Sequence, residues 1–301
     1  MKKIATDKNN WLANSEVPLT ISEHYAISPI VLESEQAVGL AMFKELEMVA
    51  NVKSGDINIA LLGGRGAQAL HKHLGELAKG NSIDALLARL NVFTQDALAP
   101  MKMANSLSFV RDFERLLGQE FFAKIKSFTP MQTETDDLVG DLESYLEKMD
   151  SLGGLDIFFI GHGPEEHGAS HLAYIKPNSG ASKDDIAGII PISSTILEHH
   201  ISKFKAGGSL ISEVDESECR NAKYILTLGP AAILKAKKIV QSVVDADSAP
   251  AKKVTYKNVM NTELAVEQSD LNKQLDANPG LWVRLHPNVV SYILPNVLDE
   301  A

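Results

Sequence analysis

The stretch Leu155-Asp156-Ile157-Phe158-Phe159-Ile160 runs straight into Gly161-His162-Gly163-Pro164-Glu165-Glu166-His167-Gly168-Ala169-Ser170. An apolar run of this length reads as a strand buried on both faces, and the glycines and proline beyond it end the strand in a tight loop. In open α/β sheets that carboxyl edge is where ligands bind. Here it delivers a carboxylate, Glu165, and an imidazole, His167, two residues apart. An imidazole moves protons near neutral pH and a carboxylate can fix its tautomer, so the pair is a candidate acid–base site. A solvated polar loop is the plainer alternative.

The same pattern stands earlier in the chain. Ile57 to Leu62 reads as a strand, Gly63-Gly64-Arg65-Gly66 as a loop and Ala67 to Ala78 as a helix, which together make half of a βαβ unit. Such a glycine loop can bring backbone N–H groups and a helix N-terminus to a phosphate, or can simply turn the chain. Gly64-x-Gly66-x-x-Ala69 formally fits a dinucleotide fingerprint, but the acidic residue expected to end the next strand falls late. No cofactor is expected.

Leu90 to Thr94, Tyr224 to Leu228, Ile239 to Val244 and Val289 to Leu294 are the other candidate strands. Helical patterns cover Ser34 to Ala50, Leu107 to Ile125, Glu134 to Met149, Ala231 to Lys237 and Val259 to Leu275. This alternation predicts an α/β fold: a doubly wound, mainly parallel sheet with helices on both faces, a Rossmann-like three-layer sandwich. Residues 1–30, with Pro18, Pro29 and little periodicity, read as an N-terminal extension, and residues 31–301 as a single domain. Lys176 to Asp185 and Asp245 to Lys253 read as polar surface excursions.

The 301 residues are 45% hydrophobic and 23% charged, enough apolar content for a substantial core. The formal net charge of −10 gives no bulk attraction to nucleic acid or to an anionic membrane. No apolar stretch approaches the roughly 18 residues of a membrane span, and polar residues follow Lys2 and Lys3 where a signal peptide would be apolar. A soluble, cytoplasmic protein is expected. Trp11, Leu12 and Tyr25 leave assembly into a homo-oligomer and docking onto the core as open alternatives. Cys219 is the only cysteine, so neither an internal disulfide nor a thiolate cluster can form, and it reads as a plain free thiol. His71/His73 and His199/His200 lack the spacing of helical metal ligands and read as surface residues, so no metal site is expected. Asp96, just past the Leu90 to Thr94 strand, is a third titratable group for the same sheet edge, although an Asp there also serves as a cap or turn residue.

Taken in order, these motifs resemble the glucosamine-6-phosphate isomerase/deaminase and 6-phosphogluconolactonase superfamily. Gly161 to Ser170 is similar to the lactonase signature Gly-x-Gly-Pro-Asp-Gly-His-Thr-Ala-Ser, whose deaminase version is Gly-x-Gly-Asn-Asp-Gly-His-Ile-Ala-Phe. Ala222 to Gly229 with Ile233 to Lys237 resembles the later strand and helix of the deaminases, and Leu285-His286-Pro287-Asn288 resembles their C-terminal Leu-His-Pro segment. The landmarks span roughly residues 32 to 297.

The resemblance implies a sugar-phosphate substrate and catalytic roles for Asp96, Glu165 and His167. In a deaminase-like reaction Asp96 shuttles a proton between C1 and C2 of an open-chain amino sugar phosphate, while His167, oriented by Glu165, assists ring opening. In a lactonase-like reaction His167 activates water and Glu165 holds the imidazole. Gly63, Gly64, Arg65, Gly66, Gly161 and Gly163 are the implied substrate and phosphate contacts. The chain departs from the pattern at Glu165 for Asp, at Glu166 for Gly and at Arg65 for the loop's Ser/Thr, departures that leave a non-catalytic phosphosugar-binding protein of the same fold as an alternative to either enzyme. Leu172 stands where the deaminases carry a ring-opening Glu. The family's substrate-binding Lys is out of register, with Ser248 near its place and Lys252 and Lys253 slightly later.

Overall fold

The computed structural model describes residues 8–13 and 23–299. Pro18 and the segment around Lys2 and Lys3 lie outside the described residues. The strands are β1 (Asn10–Ala13), β2 (Ile30–Val31), β3 (Ile57–Leu61), β4 (Leu90–Thr94), β5 (Asp96–Ala99), β6 (Ser127–Thr129), β7 (Ile157–Ile160), β8 (His162–Pro164), β9 (Ser170–Leu172), β10 (Asp185–Pro191), β11 (Tyr224–Leu228), β12 (Ile239–Val243) and β13 (Val289–Ile293). The helices are α1 (Glu35–Val52), α2 (Gln68–Ala78), α3 (Asp84–Leu87), α4 (Phe109–Lys124), α5 (Leu138–Ser151), α6 (Ser194–Ala206), α7 (Glu213–Arg220), α8 (Pro230–Lys235), α9 (Ala251–Asn261) and α10 (Gln268–Ala277).

Seven strands form a parallel sheet in the order β2-β13-β12-β7-β3-β4-β6. Its central strands are apolar throughout because both faces are covered. Ile157 and Phe159 enter one core, packed by α1, α2, α4 and α6, while Phe158 and Ile160 enter the other, packed by α5, α8, α9 and α10. The expected doubly wound sheet is present. From β3 the chain moves outward to β4 and β6, then returns to β7 on the other side of β3. That reversal opens a crevice beyond the carboxyl ends of β3 and β7.

A second sheet, antiparallel in the order β1-β10-β11-β5, was not foreseen. β11, read as one more strand of the parallel sheet, belongs to it. The N-terminal arm also takes part: β1 pairs with β10, Trp11 lies across Gly188, and its indole N–H donates to the Ser179 carbonyl at 2.8 Å. The single helix expected from Val259 to Leu275 is two helices, α9 and α10, separated by a non-helical segment. Among the described residues no helix is long and apolar enough to cross a membrane.

Asp156, the one charge in the opening run, is buried and binds β3 to β7. It accepts from the Asn58 N–H at 2.8 Å, from Lys53 at 2.6 Å and from Lys237 at 2.8 Å. Burial pushes its pKa up, but the two ammonium groups and the N–H outweigh burial and hold it below the ordinary carboxylate value. Asp156→Ala is expected to cost about 1–3 kcal/mol by leaving the Asn58 N–H unpaired, read as a lower urea midpoint at pH 7. A depressed folded-state pKa stabilises above the unfolded pKa, so the deficit shrinks as pH falls through the folded value.

Candidate functional site

Four parallel strands deliver their carboxyl ends to one cleft. The loop after β3 brings Gly63, Arg65 and Gly66, and the step from β4 to β5 brings Gln95 and Asp96. β7 leads into Gly161, His162 and Gly163, and the end of β12 supplies Ser242 and Asp245. Further polar walls are His171, His199, Lys203 and Lys252.

Asp96 sits where the chain leaves the parallel sheet for the antiparallel one, paired opposite Thr227. It is buried, and its Oδ1 has no hydrogen-bond partner among the described residues. Burial raises its pKa to about 7, opposed by the charge of Lys203. A carboxyl group in that state can both take and give a proton at neutral pH.

The imidazole in the cleft is His171, not His167. Glu165 Oε1 lies 2.9 Å from His171 Nδ1, and both side chains are buried. His167 is exposed, does not line the cleft, and occupies the left-handed backbone region at φ 56. The expected Glu165–His167 pairing is therefore corrected to Glu165–His171. The physical reason is a short helical turn, Glu166–Gly168, which connects β8 to β9 and carries His167 outward. β9 then returns His171 opposite Gly163. A Cβ at Gly163 would lie 2.0 Å from the His171 ring, so only glycine leaves room for that imidazole. Burial lowers the His171 pKa while Glu165 opposes the shift, which favours the neutral imidazole and a fixed tautomer.

The glycine loop also differs in detail from its reading. Arg65 lines the cleft with its terminal guanidinium nitrogens held by Glu35 and by the Ala206 carbonyl, while its buried Nε has no partner among the described residues. Lys203, on α6, lays its methylenes across Gly64, whose φ of 77 and missing side chain make room for them. Its ammonium lies 4.9 Å from the Phe109 ring centre and 4.6 Å from that of Tyr174. Burial lowers the Lys203 pKa to about 8 despite the attraction of Asp96. Asp245 and Lys252, assigned to a surface excursion, are buried and point inward as an ion pair.

Other histidines are equally misplaced by a surface reading. His71 is buried edge-on to Phe113, and His200 is buried between the Tyr174 hydroxyl and the Leu107 carbonyl. His199 lines the cleft beside His171, their ring centres 5.6 Å apart. Among the described residues no group of three or more His, Cys, Asp or Glu is arranged to hold a metal ion. Cys219 is buried, and burial pushes its thiol up to about 12, which removes it as a nucleophile.

His171 could have been found in the sequence. His171-Leu172-Ala173-Tyr174 matches the His-Ile-Ala-Phe half of the deaminase signature once four extra residues after the carboxylate are admitted. Counted from His171, the position five residues on is Lys176 rather than Leu172, and it too lacks the deaminase carboxylate.

No family model matches the chain. Among curated proteins it is 29% identical over 188 residues to a glucosamine-6-phosphate deaminase of Malacoplasma penetrans, covering 60% of this chain and 65% of that protein, just under two thirds of its length. It is 25% identical over 263 residues to a glucosamine-6-phosphate deaminase of Clostridium beijerinckii, covering 87% and 93% respectively. A monomeric glucosamine-6-phosphate deaminase shares its fold with a TM-score of 0.68 at 17% identity, over 90% of this chain and 98% of the other. The 6-phosphogluconolactonase of Trypanosoma brucei does so with a TM-score of 0.65 at 17% identity, over 91% and 98%. The motif order, the strand-end cleft and these likenesses support a distant relationship of the chain to the glucosamine-6-phosphate isomerase/deaminase and 6-phosphogluconolactonase superfamily.

Proposed function

We propose that the chain is a sugar-phosphate enzyme of the isomerase/deaminase type. His171, oriented by Glu165, assists ring opening, and Asp96 takes the proton from C2 of the open-chain amino sugar phosphate and returns it at C1. Water then adds to the resulting C2 iminium carbon as the C–N bond breaks and ammonia leaves. The observation that carries this reading is the buried Glu165–His171 hydrogen bond in the same cleft as an Asp whose pKa lies near neutrality. The loop from Gly63 to Gly66 binds the phosphate, with the ammonium groups of Lys203 and Lys252 as its cations.

Lactonase-type hydrolysis is the second reading. Lys176, five residues past the imidazole, favours it, because a lactonase needs no ring-opening carboxylate there. His171 then activates water against the lactone carbonyl and Glu165 holds the ring.

Incubation of purified protein with glucosamine 6-phosphate, assayed for ammonia, and with 6-phosphogluconolactone, assayed for acid release, tests both. Ammonia release supports the first reading and acid release the second. Turnover of neither above buffer overturns the assignment to an enzyme. On whichever substrate is turned over, Gly163→Ala is expected to cut kcat about a hundredfold, because the new methyl displaces the His171 ring. Thermal melting within a few degrees of wild type would show that the loss is local.

A further inference from the structure

The chain itself already neutralises two of the three cations that line the cleft. Arg65 is paired with Glu35 at a partly exposed rim. Deeper in, Lys252 Nζ donates to both oxygens of Asp245, at 2.8 Å each, with both side chains buried. Lys203 is different: among the described residues no carboxylate lies within ion-pair distance of its ammonium, which rests on two aromatic rings.

Asp245 follows β12 by two residues and Lys252 lies in the first turn of α9, so the pair closes the end of the cleft beside His162. Among the described residues no other side chain donates a hydrogen bond to the Asp245 carboxylate, the Ser248 hydroxyl donating instead to its backbone carbonyl at 3.2 Å. An ammonium has three donors and Asp245 uses two, so Lys252 keeps one for a ligand. We propose that Asp245 is a resident anion on the Lys252 subsite, which a ligand phosphate must displace or share, and that it thereby sets the charge selectivity of the cleft. This inference rests on the reading of the cleft as a sugar-phosphate site.

The physics is competition between like charges. A phosphate dianion approaching Lys252 meets a carboxylate already seated on the same ammonium, in a place where little water screens the repulsion. The Arg65–Glu35 pair does the same at the rim, but exposure weakens it. Small dianions are thus disfavoured. A sugar phosphate overcomes the repulsion through the additional contacts of its sugar with the rest of the cleft.

Calorimetric titration of the full chain with inorganic phosphate tests this in the wild type, in Asp245→Asn and in the double variant Asp245→Asn/Lys252→Met. Asp245→Asn is expected to bind phosphate about tenfold or more tightly than wild type, and the double variant to lose that gain. If wild type binds phosphate and Asp245→Asn binds it no more tightly, Asp245 only positions Lys252 and the inference is overturned. Absence of phosphate binding in all three proteins overturns it too. Should Asp245→Asn fail to fold alone, folding restored by phosphate, but not by chloride at matched ionic strength, supports the inference. Failure to fold even in phosphate overturns it. Turnover assays on the same samples separate the two ideas. Tightening without turnover removes the proposed reaction and keeps the resident anion; turnover without tightening does the reverse.

Discussion

Asp96→Asn is expected to lower kcat for ammonia release from glucosamine 6-phosphate by about 10²–10⁴-fold, with little change in KM. Asparagine keeps the shape of the side chain and removes its ability to carry a proton between two carbons. The same substitution leaves lactone hydrolysis within a few-fold of wild type, because that chemistry asks nothing of Asp96, so one variant distinguishes the two reactions. The pH profile carries the same signature. Asp96 must begin as a carboxylate, so kcat/KM rises as pH passes through about 7, where burial has placed its pKa. It declines again above about 8, where Lys203, whose pKa burial has lowered, gives up the charge proposed to hold phosphate.

Stability should move in the opposite direction. A carboxyl group whose pKa is raised by folding binds its proton more tightly in the native state, so its contribution is fully present below the unfolded-state pKa. That contribution is lost as pH rises through about 7. Asp96→Asn removes this loss. Melting curves of variant and wild type should therefore coincide near pH 4 and separate by pH 8, with the inactive protein the more stable. A variant destabilised at every pH would show that Asp96 is held by contacts other than those described.

His171→Ala is expected to reduce kcat about 10²–10⁴-fold on either substrate, and His167→Ala to change it by less than about twofold. The contrast follows from placement: His171 is buried against Glu165 in the cleft, and His167 is exposed outside it. Glu165→Gln keeps an acceptor for the His171 N–H but loses the charge that stabilises the protonated ring, so its rate should fall between the two. Steady-state kinetics on the three proteins check the assignment. A large loss in His167→Ala with His171→Ala unimpaired would reverse it.

Most of the parallel sheet was legible because its strands are short apolar runs followed by glycine or acidic punctuation, as at Leu61 to Gly66 and Ile160 to Gly163. The antiparallel sheet was not. β10 begins with Asp185, includes Gly188 and ends in Pro191, so neither strict alternation nor a continuous apolar run marks it. α6 was hidden for a related reason: of its thirteen residues only Ile196, Ile201 and Phe204 are buried apolar side chains, with His200 filling the fourth inward position. Asp96 and Glu165 could be placed from the chain alone because each follows a recognisable strand. His171 escaped because a spacing of two residues directed attention to His167, while hydrogen bonding closed a gap of six. Asp245 and Lys252 looked like solvated surface for the same reason. Charge spacing in a loop does not show that two opposite charges will be buried together.

The pairing of β5 with β11 also has a consequence for how the protein comes to life. Asp96 opposes Thr227, and β10, on the far side of β11, is capped in turn by β1. The smaller sheet thus joins residues near positions 11, 98, 188 and 226, contacts that a growing chain cannot make early and that are costly in loop-closure entropy. A nascent chain that has just released β7 from the ribosome owns five of the seven strands of the parallel sheet and the residues of the glycine loop. Asp96 is still unset. It acquires its buried, proton-holding environment only after β11 has emerged and docked, so the group proposed to carry the chemistry is set by a strand made more than a hundred residues after it.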